Sequence, residues 1–301
     1  MILERILYSV LRKCIYIFVF SLMLPFLLLF QGCSFMEKVS DKSSSESADE
    51  SSDDKENIKI TYLNVGKADC IIIKSRESCV IIDTGTSDTA EDVADYLENE
   101  NISRIDALFI THFDKDHVGG ASCIISEFDV ENVYTTYRVK ESDEINAYDK
   151  AMEEKALTET VVTDKTVFDI DDVSYTVYQP ENDDYDEDES NNSSLIIMAQ
   201  YENNRFLFMG DAEEERIDEA LSYDLSCDVI KMPHHGKKED NTKDLISRAN
   251  PSYAVITSSD EDKESKKVLK WLDNKGVSVY LTRLGSVYMV SDGENITCTQ
   301  E

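Results

Sequence analysis

Thr111-His112-Phe113-Asp114-Lys115-Asp116-His117-Val118-Gly119-Gly120 follows directly on the apolar run Ala107-Leu108-Phe109-Ile110. A short buried strand that ends in a loop of histidines and aspartates brings ligand-type side chains to one edge of a sheet. The other two histidines, His234 and His235, stand in Pro233-His234-His235-Gly236, after the strand-like Asp228-Val229-Ile230-Lys231. All 4 histidines of this 301-residue chain therefore fall in two short motifs, each after an apolar run. Imidazole is the commonest nitrogen ligand for zinc and its neighbours, so the pattern predicts a metal site.

A third apolar run, Phe206-Leu207-Phe208-Met209, ends in Gly210-Asp211. Three strand ends bearing ligands form a plausible dinuclear centre. In this reading His112 and Asp114 serve one ion, and Asp116 with His117 serves a second. Asp211 bridges the two, and one of His234 and His235 adds a nitrogen. Two ions at such a centre lower the pKa of a shared water and hold an ester or phosphoryl oxygen. Asp116 is the candidate catalytic residue, a ligand that also orients hydroxide or passes a proton.

The rest of the chain follows the same rhythm of strands and helices. Asn57 to Val65 reads as a strand, and Cys70 to Ile73 with Cys79 to Ile82 as a hairpin. Helical spacing covers Thr89 to Glu100, and Gly119-Gly120 opens a helix through Ile125. Val133 to Tyr137 reads as a strand, Ile145 to Leu157 as a helix and Val173 to Tyr178 as a strand. Ser194 to Tyr201 and Arg205 to Met209 are strands around the turn Glu202-Asn203-Asn204. Helices at Glu213 to Leu221, Lys243 to Arg248 and Glu264 to Leu272 alternate with strands at Tyr253 to Ile256 and Val277 to Leu281. Closing strands lie near Val287 to Val290 and Ile296 to Cys298. Strands then helices, twice over, fit two sheets sandwiched between helices. Tyrosine and phenylalanine are scattered, as core residues are.

These motifs resemble the metallo-β-lactamase superfamily, whose first motif is His-x-His-x-Asp-His. The branch they most resemble is the extracytoplasmic metallo-hydrolase domain of competence-type (ComEC-like) DNA-uptake proteins. Asn64-Val65-Gly66-Lys67-Ala68-Asp69, Ile82-Asp83-Thr84-Gly85, Asn192-Ser193-Ser194-Leu195, Met209-Gly210-Asp211-Ala212-Glu213 and Lys231-Met232-Pro233-His234-His235-Gly236 match that branch in order. The resemblance covers residues 58 to 290. It implies an α/β fold, a four-layer αββα sandwich, and a hydrolase with two divalent ions, zinc or manganese. Asp69, Asp83, Asn192 and Lys67 then stand beside the ligands or the substrate, with Asp83 orienting a ligand histidine.

Two departures from the pattern matter. Asp114 stands where the superfamily usually has a second histidine, and a carboxylate there favours manganese beside zinc. No histidine lies between His117 and Asp211, where another ligand to the first ion is often found. Asn191 or Asn192 approaches that position in this reading.

Composition bounds the setting. Residues 1 to 32 carry Arg5, Arg12 and Lys13, an apolar run from Cys14 to Phe30, then Gln31-Gly32-Cys33. That is a secretory signal followed by a lipobox-like junction, with Cys33 lipidated; the alternative is an uncleaved anchor. Both place the remainder outside the cytoplasm, tied to the cell membrane. Residues 33 to 57, rich in Ser, Asp, Glu and Lys, form a solvated tether, and residues 58 to 301 form the hydrolase domain. The net charge of −32 repels polyanions and leaves no basic track for DNA, so any DNA contact is transient. A small phosphodiester fits better. The alternatives are a carboxylic ester or lactone, or a non-catalytic surface-binding lipoprotein with a degraded metal site. Glu181 to Glu189 holds seven acids in nine residues and reads as a solvated loop without calcium-loop spacing. Cys70, Cys79, Cys123, Cys227 and Cys298 remain after Cys14 and Cys33. They read as buried thiols, or as one disulfide among pairs that the sequence leaves open.

Overall fold

The computed structural model describes residues 57–301. The signal, Cys33 and nearly all of the tether lie outside the described residues. Two sheets carry the fold. The first has eight strands: β1 (Ile58–Tyr62), β2 (Ile71–Ser75), β3 (Ser78–Ile82), β5 (Ala107–Ile110), β7 (Val133–Thr135), β8 (Glu159–Val161), β16 (Val287–Ser291) and β17 (Ile296–Gln300). Their order across the sheet is β17-β16-β1-β2-β3-β5-β7-β8. The second sheet has seven: β9 (Thr166–Ile170), β10 (Val173–Tyr178), β11 (Ile196–Tyr201), β12 (Asn204–Phe208), β13 (Val229–Lys231), β14 (Tyr253–Ile256) and β15 (Ser278–Leu281). They run in the order β15-β14-β13-β12-β11-β10-β9. Two short strands, β4 (Arg104–Ile105) and β6 (Asp129–Val130), pair separately.

Period-2 alternation assigns each strand face to a layer. Ala107 and Phe109 of β5 join the core between the sheets, and Leu108 and Ile110 join the helices Ala90–Asn99, Ala121–Glu127 and Asp143–Lys155 on the outer side. In β12, Phe206 and Phe208 face the other sheet, while Leu207 packs with the helices Glu214–Ala220, Thr242–Ala249 and Lys266–Asn274. Helix, sheet, sheet, helix is the four-layer αββα sandwich that the motif order implied. Phe109 stacks with Tyr134 at 5.2 Å and with Phe168 at 5.9 Å between the sheets, so these aromatics serve the core.

Each sheet turns parallel where the site is built. β3, β5 and β7 run parallel, as do β12, β13, β14 and β15. The C-terminal ends of parallel strands open onto a common crevice, the usual ligand position in α/β sheets. Asp83, His112, Asp211, the two-histidine motif and Thr257 all follow such ends.

Three expectations need correction. The first histidine motif is not all loop, because Lys115–Val118 forms one helical turn after extended Asp114. Strands β8 and β9 carry no sequence signal in the reading above, since both are edge strands with half their side chains in water. The helix expected from Glu264 starts at Lys266, because Glu264 is a buried ion-pair partner instead. All five cysteines of the described residues are free thiols, with Cys70, Cys79 and Cys227 buried. Among the described residues no helix is long and apolar enough to cross a membrane.

Candidate metal centre

The first motif is clamped by two neighbouring loops. Asp69 N–H donates to the Asp116 carbonyl at 3.1 Å, and Thr84 N–H and Oγ1 both donate to the His117 carbonyl at 2.8 Å. Gly120 presses against the second loop, and a Cβ there would sit 2.3 Å from the Thr84 carbonyl oxygen. This close approach explains why the motif ends in glycine.

Asp83 holds the ring of His117. Its Oδ2 lies 2.7 Å from His117 Nδ1, and its two oxygens also accept from Thr111 N–H (2.8 Å) and Thr111 Oγ1 (2.7 Å). His117 Nε2 is thereby aimed at Asp211 Oδ1, 3.3 Å away. His235 is held in the same manner by another group. Its Nδ1 lies 2.8 Å from the Thr257 carbonyl, which turns Nε2 toward Asp211 Oδ2 at 3.0 Å and Asp116 Oδ2 at 3.4 Å. His112 packs 4.1 Å from His117, ring to ring, with its Nε2 3.9 Å from Asp114 Oδ1.

The two histidines of the second motif point apart. His234, His235 and Gly236 are consecutive left-handed residues, with φ of 45°, 52° and 75°. Strain of this kind clusters at functional sites. His235 turns into the protein, whereas His234 meets Glu213 at 2.9 Å.

The Nε2 atoms of His112, His117 and His235 and Oδ1 of Asp211 are buried without a hydrogen-bond partner. Such orphaned polar atoms are costly unless something satisfies them. One ligand atom each from Asp69, His117, Asp211 and His235 lies within 4.8 Å of the others. Burial drives the His117 imidazole down, but the Asp211, Asp83 and Asp69 carboxylates outweigh it and hold His117 well above its ordinary value. His235 is raised against its burial by Asp211 and Asp116. Burial and the neighbouring His117 push His112 down to about 4. Asp211, despite burial, is held well below the usual carboxylate range by His235, His117 and Lys231. Asp116 is lowered against its burial by His235 and His117. The centre thus calls for positive charge among its carboxylates, and its donors are mixed nitrogen and oxygen. This set fits divalent ions.

Other sequence candidates take different places. Asp69 is buried, paired with Lys231 and accepting from Thr257 Oγ1 at 2.6 Å, so it braces the centre. Asn192 is spent on backbone: its amide donates to the Glu187 carbonyl and accepts from the N–H groups of Glu213 and Arg216. Asn191, not Asn192, lines the cavity over the centre. Asp114 lies at that cavity, held by Lys140 and Ser190. Lys67 Nζ stands 3.2 Å from Asp116 Oδ2. The cavity is about 380 Å³, with Lys67, Lys115 and Lys140 along its walls. The sequence reading missed Lys231, although a lysine that ends an apolar strand is a signal of a buried charge.

The match to known proteins agrees with this geometry. The model of the metallo-beta-lactamase superfamily matches residues 63–258. The chain belongs to that superfamily. Its members are metal-dependent hydrolases in the main, and this member carries a ComEC-like sequence. It is 29% identical over 224 residues to ComE operon protein 3 of Bacillus subtilis, covering 68% of this chain and 28% of that protein. It is 25% identical over 210 residues to Recombination protein 2 of Haemophilus influenzae, covering 68% and 24%. The chain therefore spans about a quarter of the length of these curated relatives. Among solved structures, the metallo-beta-lactamase fold protein YhfI from Bacillus subtilis superposes with a TM-score of 0.55 at 9% identity, covering 81% of this chain and 100% of that one. CmlA, a diiron beta-hydroxylase from Streptomyces venezuelae, does so at 0.50 and 12%, covering 82% and 54%. At such identities the likeness is one of fold.

Proposed function

We propose that this superfamily member is a dinuclear hydrolase of small phosphodiesters. The observation that carries the reading is the buried convergence of unpaired His112, His117, His235 and Asp211 atoms beneath the cavity. His117, His235, Asp116 and Asp211 would hold one ion, and His112, Asp114 and Asp211 the other. Divalent ions bound there supply Lewis acidity, polarising an ester or phosphoryl oxygen and acidifying water near neutral pH.

The chain's own residues do the rest. Asp83 and the Thr257 carbonyl fix the two rings so that each Nε2 faces inward. Asp116 stays ionised and accepts from Lys67, which places an ammonium at the cavity floor. Lys67, Lys115 and Lys140 line the cavity beside Asp114, Asp116, Glu144 and Asp211, and Lys67 and Lys140 pair with Asp116 and Asp114, so attraction for an anionic substrate would come chiefly from the bound ions. The overall charge of −32 opposes a long polyanion, so a compact diester fits better than DNA. We also infer a lipid tether at Cys33 that holds the domain on the outer face of the membrane. Radiolabelled palmitate incorporation that persists in C33A overturns that inference.

A panel of bis-(p-nitrophenyl) phosphate, single-stranded DNA and a lactone, each with zinc or manganese, tests the activity. The phosphodiester should turn over fastest, and D116A and H117A should abolish it. Preferred lactone cleavage supports the carboxylic-ester reading. Bound metal without turnover on any substrate supports a non-catalytic binding lipoprotein.

A further inference from the structure

A second cavity, of about 310 Å³, opens beside Glu213, with Asp186, Glu187, Glu214, Asp218 and Glu239 among its walls. His234 adjoins it. One ligand atom each from Glu213, His234 and Glu239 lies within 4.8 Å of the others, and all three residues are half-buried. His234 Nδ1 is shielded from solvent and lies 2.9 Å from Glu213 Oε1. The left-handed backbone at His234 and His235 sends the two rings in different directions, so that His234 meets Glu213 while His235 meets Asp211.

We propose that Glu213, His234 and Glu239 form an accessory site for one divalent ion of the zinc or manganese type. One imidazole and two carboxylates suit either ion, and three protein ligands leave a position for water. The strained turn has a physical reason in this arrangement: it presents adjacent histidines to two separate centres. Glu213 also accepts from Asn191 Nδ2 at 2.9 Å, and Asn191 lines the substrate cavity. His234 lines that cavity as well, so an ion held by Glu213 and His234 would sit at its edge. The inference does not depend on hydrolysis.

Zinc counting on the full chain tests it. Chelator-dialysed wild type, E239Q, D211N and the double variant are equilibrated with zinc and their ions counted by elemental analysis. E239Q should hold one ion fewer than wild type, and the double variant one fewer than D211N. Equal counts for wild type and E239Q overturn the accessory site, whereas equal counts for wild type and D211N bear on the main centre alone. Anomalous diffraction at the zinc edge from wild-type crystals needs no variant to fold. A peak among Glu213, His234 and Glu239 is expected, and its absence in zinc-soaked crystals overturns the proposal.

Discussion

Replacing Asp83 by Asn changes one atom beside the main centre and reverses the tautomer of the His117 ring that would hold an ion. Asp83 is buried, with φ of 58°, a conformation that Asn adopts as readily. Its Oδ1 can keep the Thr111 N–H at 2.8 Å, so the new amide nitrogen takes the place of Oδ2, 2.7 Å from His117 Nδ1. An amide N–H there donates, so neutral His117 must accept at Nδ1 and carry its proton on Nε2. That proton occupies the nitrogen aimed at Asp211. Loss of such a partner typically costs ~10–100-fold in metal affinity, or about 1.4–2.7 kcal/mol at 1.36 kcal/mol per decade. The charge-assisted bond also contributes to the apo fold, by about 1.5–3 kcal/mol. Zinc affinity should be measured by competition with a chromophoric chelator, alongside urea unfolding of the metal-free protein. A D83N variant that binds zinc within threefold of wild type refutes the tautomer argument, even if its unfolding is altered.

Further outcomes follow from the same geometry. Lys231 is fully buried, paired with Asp69 and donating to the Gly210 carbonyl at 2.9 Å. K231M strands the Asp69 carboxylate and should destabilise the metal-free protein by ~3–5 kcal/mol in urea unfolding; a loss below ~1 kcal/mol contradicts this. Metal at 100 times its dissociation constant should stabilise the chelator-treated protein by ~2.7 kcal/mol per site, read as a higher melting temperature, and an unchanged melt refutes binding to the native fold. Glu264 accepts from Ser258 Oγ at 2.8 Å and Arg283 Nε at 3.2 Å, and these partners hold its carboxyl below the ordinary value against its burial. Its folded pKa is depressed, so its stabilisation is complete above the unfolded value of about 4.3 and is lost as pH falls through the lower folded value. The melting-temperature gap between wild type and E264Q should therefore close as pH drops below about 4, and a gap that persists there contradicts the linkage.

Much of the fold was legible because its signals are local. Ala107–Ile110 emerges at the bounds read from its apolar run and is wholly buried, and Val173–Tyr178 at the bounds read from its alternation, with Ser174 and Thr176 half-buried. Strands β8 and β9 were invisible for the converse reason: at the sheet edges only part of each needs to be apolar. The site was legible as a set of strand ends. His112, Asp116, His117 and Asp211 were singled out by position alone, and parallel pairing brings those ends to one crevice.

The sequence by itself determined the layers, the strand ends and the residue types that meet there, since hydrophobic period and turn chemistry are written within a few residues. Only the tertiary structure decided which histidine faces which partner. His234 and His235 are neighbours of one type, and no local pattern separates them. Their separation depends on a left-handed turn whose Gly236 packs against Ile256, and on the Thr257 carbonyl that claims one ring. The same holds for Asp69 and Lys231, 162 positions apart, and for Glu239, which joins His234 and Glu213 without belonging to any motif. Charges buried together must find their counter-charges wherever packing places them, and that choice is made in three dimensions.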